Sequence, residues 1–238
     1  MRRCRDGRQS ASGRRPLVPN VHAGGAAWFA AFLAAIIGAR PAPPSAPTPT
    51  LTPCTVRHDT AAPPAPMQRV AIIGNAGGGK SVLARHLGVA HGLPVRVIDD
   101  VQWRPGWVPA PPGEVAAAHA RWLAEPRWVI DGWGTWPLIE QRFAAADTIV
   151  IVDFPLAVHY WWALKRQVAA TLGPRREWPP AGCRAWPVTL RLLGVMRRVH
   201  RELRPRLLAL AAEPRFRGRV AHLRSPAELR AFRRATGA

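Results

Sequence analysis

Beyond residue 66 the chain alternates short, wholly apolar runs with longer stretches in which apolar residues recur every three or four positions. Residues 69–74 (RVAIIG) have the pattern of a strand buried on both faces. A glycine-rich turn follows, and Val82, Leu83, Leu87 and Ala90 give residues 81–91 helical spacing. Residues 95–98 predict a second strand ending in Asp99 and Asp100, and residues 114–123 a helix set between Pro111, Pro112 and Pro126. A third strand over 128–130 ends in Asp131, a helix over 138–145 follows, and a fourth strand over 148–152 ends in Asp153. From Pro155 a helix runs through Val158, Trp161, Trp162, Leu164 and Val168. Residues 173–187 are proline-rich and irregular, residues 188–210 predict a long amphipathic helix bent at Pro205, residues 220–223 a fifth strand and 226–234 a last helix. Strands alternating with helices predict a three-layer α/β/α domain on a parallel sheet.

Residues 1–66 lack this order. They hold Arg2, Arg3, Arg5, Arg8, Arg14 and Arg15, an apolar stretch over 26–39, and then PAPPSAPTPTLTP, which supports neither helix nor central strand. Three readings compete: a signal peptide, a membrane anchor stretched back to Val21, or a low-complexity extension upstream of a true start at Met67. The extension is the favoured expectation, because the first strand begins two residues after Met67 and a nucleotide-binding core needs intracellular ATP. The expected domain is therefore 67–238, with no stable membrane partner unless 21–39 acts as an anchor.

The 238 residues allow one good-sized domain with an appendage, and 48% apolar content is enough for a packed core. Cys4, Cys54 and Cys183 form no CxxC pair, which argues against a disulfide scaffold or cysteine zinc site and points to a reducing, cytoplasmic setting. The formal charge of +20 is unevenly placed: residues 67–160 balance eight basic against eight acidic groups, whereas residues 161–238 carry 18 against four. Either the second half is a solvated arginine surface, or several arginines face phosphate.

The chemistry is concentrated in Gly74-Asn75-Ala76-Gly77-Gly78-Gly79-Lys80-Ser81, which fits GxxxxGK[ST] between a strand and a helix. In that context successive backbone amides wrap phosphate oxygens, the helix N-terminus adds its positive dipole end, Lys80 bridges the β- and γ-phosphates, and Ser81 ligates Mg²⁺. Asp99, Asp131 and Asp153 close three strands, where ligands of an open parallel sheet gather. Asp131 reads as a hold on Mg²⁺ and Asp153 as a helix cap, while Asp99, with Asp100 competing, binds or deprotonates a phosphate acceptor.

With these residues in hand, the core resembles the adenylate-kinase-like group of P-loop NTPases, and within it the bacterial topology-modulation proteins. The likeness rests on GNAGGGKS, VIDDVQWRPGW, WVIDG, ADTIVIVDFP, the LKRQ run at 164–167 and GCRAW at 182–186, and it covers none of residues 1–66. It implies a five-stranded parallel sheet in order 2-3-1-4-5 and a lid over about 173–187. Arg166 would stand at the lid's base and Arg175 and Arg176 within it, with Arg197, Arg198 and Arg201 on the next helix as further clamps. The loop 224–226 would stack the base. The sequence departs from the pattern after Asp131-Gly132 in two ways: the arginine that the kinases carry shortly after it is missing from DGWGTWP, and Trp133-Gly134 replaces the relatives' Asn-Tyr, so acceptor identity stays open. Trp103 and Trp107 flank a Pro-Gly turn near Asp99, where they either sandwich a planar acceptor or pack as a lid over the sheet. The expected activity is ATP:acceptor phosphotransfer. The alternatives are a nucleotide-dependent nucleic-acid-binding protein using the arginine-rich half, and an ATP-binding protein without transfer activity.

Overall fold

The computed structural model describes residues 67–172, 179–183 and 189–237. The expectations for residues 1–66, for most of the lid and for Arg175 and Arg176 lie outside the described residues. Five parallel strands carry the domain: β1 (Arg69–Gly74), β2 (Val95–Val97), β5 (Trp128–Asp131), β6 (Thr148–Val152) and β7 (Val220–Leu223). Their spatial order is β2-β5-β1-β6-β7, the expected 2-3-1-4-5 arrangement of a kinase-like P-loop fold. Register is continuous across the centre, with Ile72 opposite both Asp131 and Val150.

Alternate residues of each central strand feed two separate cores, which is why the strands read as unbroken apolar runs. On one face Val70, Ile72, Val129, Val150 and Val152 pack with Leu83 and Leu87 of α1 (Lys80–His91) and Leu229 of α8 (Pro226–Ala235). On the other, Ala71, Ile73, Ile130, Ile149 and Ile151 meet Ile139 and Phe143 of α4 (Trp136–Ala145) and Leu207 and Leu210 of α7 (Arg204–Ala211). Trp122 and Leu123 of α3 (Pro112–Ala124) join that second core. The helix α5 (Leu156–Leu172) follows β6.

Three local features differ from expectation. The second strand stops at Val97, and Ile98–Gln102 forms the short helix α2, so Asp99 occupies a first helical turn instead of a strand end. The Pro-Gly turn closes a small antiparallel hairpin of β3 (Trp103–Arg104) and β4 (Val108–Pro109), with Arg104 opposite Val108. The long helix expected over 188–210 is divided into α6 (Thr189–Arg198), a π-helical turn (Val199–Leu203) and α7. Pro205 lies in the first turn of α7 and has no N–H to donate, and the Arg204 N–H bonds back five residues to Val199, so the expected bend takes the form of a π turn. No helix among the described residues is long and apolar enough to cross a membrane.

Candidate active site

The glycine-rich loop links the C-terminal end of β1 to α1. Gly77 has φ of 70° and sits against α5, where an added Cβ would lie 2.4 Å from the His159 carbonyl oxygen. The glycine is thus required by close packing on α5 as well as by its positive φ. The loop is braced on both sides. Asn75 is buried; its Nδ2 donates to the Met196 carbonyl at 2.8 Å and its Oδ1 accepts from the Ala76 N–H at 2.9 Å. Trp133 Nε1 donates to the Gly74 carbonyl at 2.8 Å, and its ring packs with Val195, Val199 and Leu203. The residue that departs from the kinase pattern therefore fastens the start of the loop to α6 and the π turn.

His159 of α5 is a site residue that sequence reasoning missed. It is 1% exposed and stacks on Phe154 at 5.3 Å. The Phe154 N–H donates to Nε2 at 3.1 Å, so Nδ1 carries the ring proton and donates to the Ala76 carbonyl at 3.0 Å. Burial, then the charge of Lys80, pushes its pKa down to about 4, which keeps the ring neutral. A lone histidine within an amphipathic helix carries no sequence signal for this role.

Lys80 Nζ donates to the Asn75 carbonyl at 2.8 Å, inside its own loop. Burial pushes the ammonium pKa down, and the carboxylates of Asp131 and Asp99 work against that shift. Ser81 Oγ donates to Asp131 Oδ2 at 2.6 Å. Asp131 is 2% exposed, and its Oδ1 is buried with no hydrogen-bond partner among the described residues. Behind it Arg142, fully buried, donates to the Gly132 and Trp133 carbonyls at 2.8 and 3.2 Å and fixes the turn after β5.

Lys80, Ser81, Asp99, Asp131 and Arg166 line one cleft of about 1040 Å³, a figure that includes the solvent at its mouth. Asp100, the expected competitor of Asp99, is not among the lining residues. Asp99 is exposed at the cleft; desolvation, then repulsion from Asp131, pushes its pKa up to about 6, with Lys80 and Arg166 opposing. Arg166 is held lower, at about 10, by burial, with Asp99 and Asp131 opposing.

Other expected residues lie elsewhere. Asp153 is not a helix cap: it accepts from Arg204 at 2.5 and 2.9 Å and from His222 at 2.8 Å, tying β6 to α7 and β7. Arg198 pairs with Glu202 at 2.8 Å, Arg197 and Arg201 are exposed, and none of the three lines the cleft. In the loop expected to stack a base, Ser225 Oγ caps α8 by accepting from the Glu228 N–H at 3.2 Å, while Glu228 accepts from the Arg224 N–H at 2.8 Å.

No family model matches the chain, and no curated protein matches it. Among solved structures it is similar to an unliganded sugar kinase from Janibacter sp. HTCC2649, with 19% identity, coverage of 72% of this chain and 94% of the other, and a TM-score of 0.42. It is also similar to shikimate kinase from Acinetobacter baumannii in complex with shikimate, with 10% identity, the same two coverages and a TM-score of 0.38.

Proposed function

We propose that the protein is an ATP:acceptor phosphotransferase of the nucleotide- or small-molecule-kinase type. Residues 67–238 are its catalytic domain, residues 1–66 an appended extension and residues about 173–187 its lid. The observation that carries this reading is the convergence of Lys80, the Ser81–Asp131 pair, Asp99 and Arg166 on one cleft at the ends of the parallel strands. Closeness to the topology-modulation proteins is kept within this reading as its branch of the fold, and a cytoplasmic setting follows from its need for ATP.

The backbone amides of residues 74–81 and the N-terminus of α1 hold the ATP phosphates. Lys80 exchanges its bond to the Asn75 carbonyl for β- and γ-phosphate oxygens. A serine hydroxyl beside a buried carboxylate with an unmet oxygen is a fitting donor set for Mg²⁺, a hard cation that takes oxygen ligands. Bound there, Mg²⁺ supplies charge neutralisation on the transferring phosphates. Asp99 orients the acceptor hydroxyl and takes its proton as the acceptor oxygen bonds to the γ-phosphorus and the bond to the β-phosphate oxygen breaks, releasing ADP. Arg166, with Arg175 and Arg176 from the lid, stabilises charge on the equatorial oxygens. A nucleic-acid role for the arginine-rich half has no comparable convergence behind it: Arg198, Arg204 and Arg215 are ion-paired within the chain.

The test is transfer of label from γ-labelled ATP, with Mg²⁺, to a panel of alcohols, nucleosides and nucleoside monophosphates, with water and DNA as controls. Lys80→Ala, correctly folded, is expected to lower transfer by about 100-fold or more, the scale of losing one transition-state donor. Unchanged turnover in the folded variant removes the reading. Hydrolysis that rises only on adding DNA replaces it with the nucleic-acid one.

A further inference from the structure

We propose that the outward face of α5 is a docking surface for an anionic lipid bilayer, on which the protein lies without crossing it. The inference goes beyond the phosphotransferase reading and does not depend on it. Trp161, Leu164, Val168 and Leu172 of α5 are between 45% and 82% exposed. Their spacing of three, four and four residues places them on one side of the helix, in a stripe about 16 Å long at about 1.5 Å per residue. The opposite side is committed to the domain. His159, Ala163 and Gln167 are each 1% exposed, and a Cβ at Gly77 would lie 2.8 Å from the Ala163 amide nitrogen. Single exposed apolar residues are common on protein surfaces, but a continuous row of one indole and three aliphatic side chains marks a surface that meets a partner.

Charge selects the partner. Neither α5 nor α6 contains an acidic residue. Lys165, next to Leu164, is exposed at the border of the stripe. The helix α6 runs antiparallel beside α5: Gln167 Nε2 donates to Thr189 Oγ1 at 2.8 Å, and the Tyr160 hydroxyl donates to the Leu193 carbonyl at 3.3 Å. It carries Leu190, 84% exposed, together with exposed Arg191 and Arg197. A second copy docked on α5 would set Lys165 against like charge, and a nucleic acid would leave the leucine and valine side chains without an apolar partner. An anionic bilayer meets both demands. The aliphatic side chains enter the boundary between headgroups and acyl chains, Trp161 lies at the interface where indoles settle, and Lys165 runs its stem along the stripe to reach the lipid phosphates. The glycine-rich loop packs on the far side of α5, so docking leaves it uncovered.

The full chain is sedimented with vesicles of phosphatidylglycerol and phosphatidylcholine in equal parts and, separately, with vesicles of phosphatidylcholine alone. It is expected to bind the anionic vesicles about tenfold or more tighter, and to be released as salt is raised. The stripe side chains are already largely in water, so Trp161→Gln/Leu164→Gln/Val168→Gln is expected to keep the wild-type melting temperature. The same variant should weaken binding to the anionic vesicles about tenfold, because the apolar area that enters the bilayer is lost. Lys165→Glu/Arg191→Glu, which leaves the stripe intact, should abolish the preference for anionic over neutral vesicles. Binding that stays unchanged in the glutamine variant overturns the proposal and assigns the contact to another segment. Equal binding to the two kinds of vesicle, or binding to neither, overturns it too. A preference retained in the charge-reversed variant does the same, whatever the melting temperature of the glutamine variant. A chain that is dimeric by light scattering and becomes monomeric in the glutamine variant replaces the bilayer with a second copy.

Discussion

His159 and Asp99 carry opposite kinds of information about the cleft. His159 is a fixed neutral strut, accepting from one backbone amide and donating to the Ala76 carbonyl. Its replacement by leucine leaves both backbone groups buried without partners, at a cost of about 2–4 kcal/mol in urea unfolding. His159→Asn retains a donor near the Nδ1 position and is expected to recover part of the loss. If the glycine-rich loop holds ATP as proposed, the ATP KM should rise in the leucine variant while the acceptor KM stays level, because only that loop loses its brace. Because the folded pKa of His159 is depressed to about 4, its contribution to stability is complete above pH 6.5 and lost as pH falls through 4. Asp99 shifts the other way. Its folded pKa, raised to about 6, makes its ionisation weigh against the fold as pH rises from 3.8 through 6, and makes its readiness as a proton acceptor tunable near neutrality. Transfer measured as kcat/KM should therefore fall about tenfold per pH unit below 6 and level off above it. Asp99→Asn should remove that limb along with most of the activity. A retained limb would assign it to another group.

At the scale of elements, the clamp of Asp153 with Arg204 and His222 joins β6, β7 and α7 at the end of the sheet where the glycine-rich loop begins. Burial raises the Asp153 pKa, but the hydrogen bonds from His222 and Arg204 outweigh it and hold the carboxyl at about 2. The sign follows: the stabilisation is present above pH 3.8 and is lost as pH falls through 2, and it amounts to roughly 2 kcal/mol. Asp153→Asn should lower the unfolding free energy at pH 7 by about that amount, and the gap to the wild type should close between pH 4 and 2. A constant gap across that range would mean that packing, not charge, is lost. In the sequence Asp153 looked like a helix cap because Pro155 follows it. Its partners lie 51 and 69 residues away, a pairing that no local pattern carries. The β6 and β7 strands were legible to the residue, since runs such as TIVIV have one reading on a doubly covered sheet. The short helix α2 was not, because five residues of IDDVQ hold no helical period. The break between α6 and α7 was legible as a bend at Pro205, while its π form, with the Arg204 N–H bonded back to Val199, is carried by no local pattern.

Across the whole molecule, strand order came from the resemblance rather than from periodicity, and the order β2-β5-β1-β6-β7 agrees with it. That order brings Lys80, Asp99, Asp131 and Arg166 together from four separate elements; the sequence pattern gathers the carboxylates at strand ends, while Arg166 entered only through the resemblance. What stayed illegible is the bracing that makes the loop a rigid part of the sheet: Asn75 on Met196, Trp133 on Gly74, and Ala76 on His159. Those three contacts join the loop to α6, to the turn after β5 and to α5, and α5 and α6 are the elements that flank residues 173–187. If Arg175 and Arg176 act from a closing lid, they meet the phosphates in the closed state, when the acceptor is also enclosed, and contribute little to the first encounter with ATP. The double variant Arg175→Ala/Arg176→Ala should then lower kcat by about 100-fold, the scale of losing a transition-state contact, with the ATP KM changed by less than about threefold. Pre-steady-state label transfer should slow by the same factor, because closure precedes chemistry. A variant whose loss lies wholly in ATP affinity would place these arginines on the open-state nucleotide and move the lid to another segment.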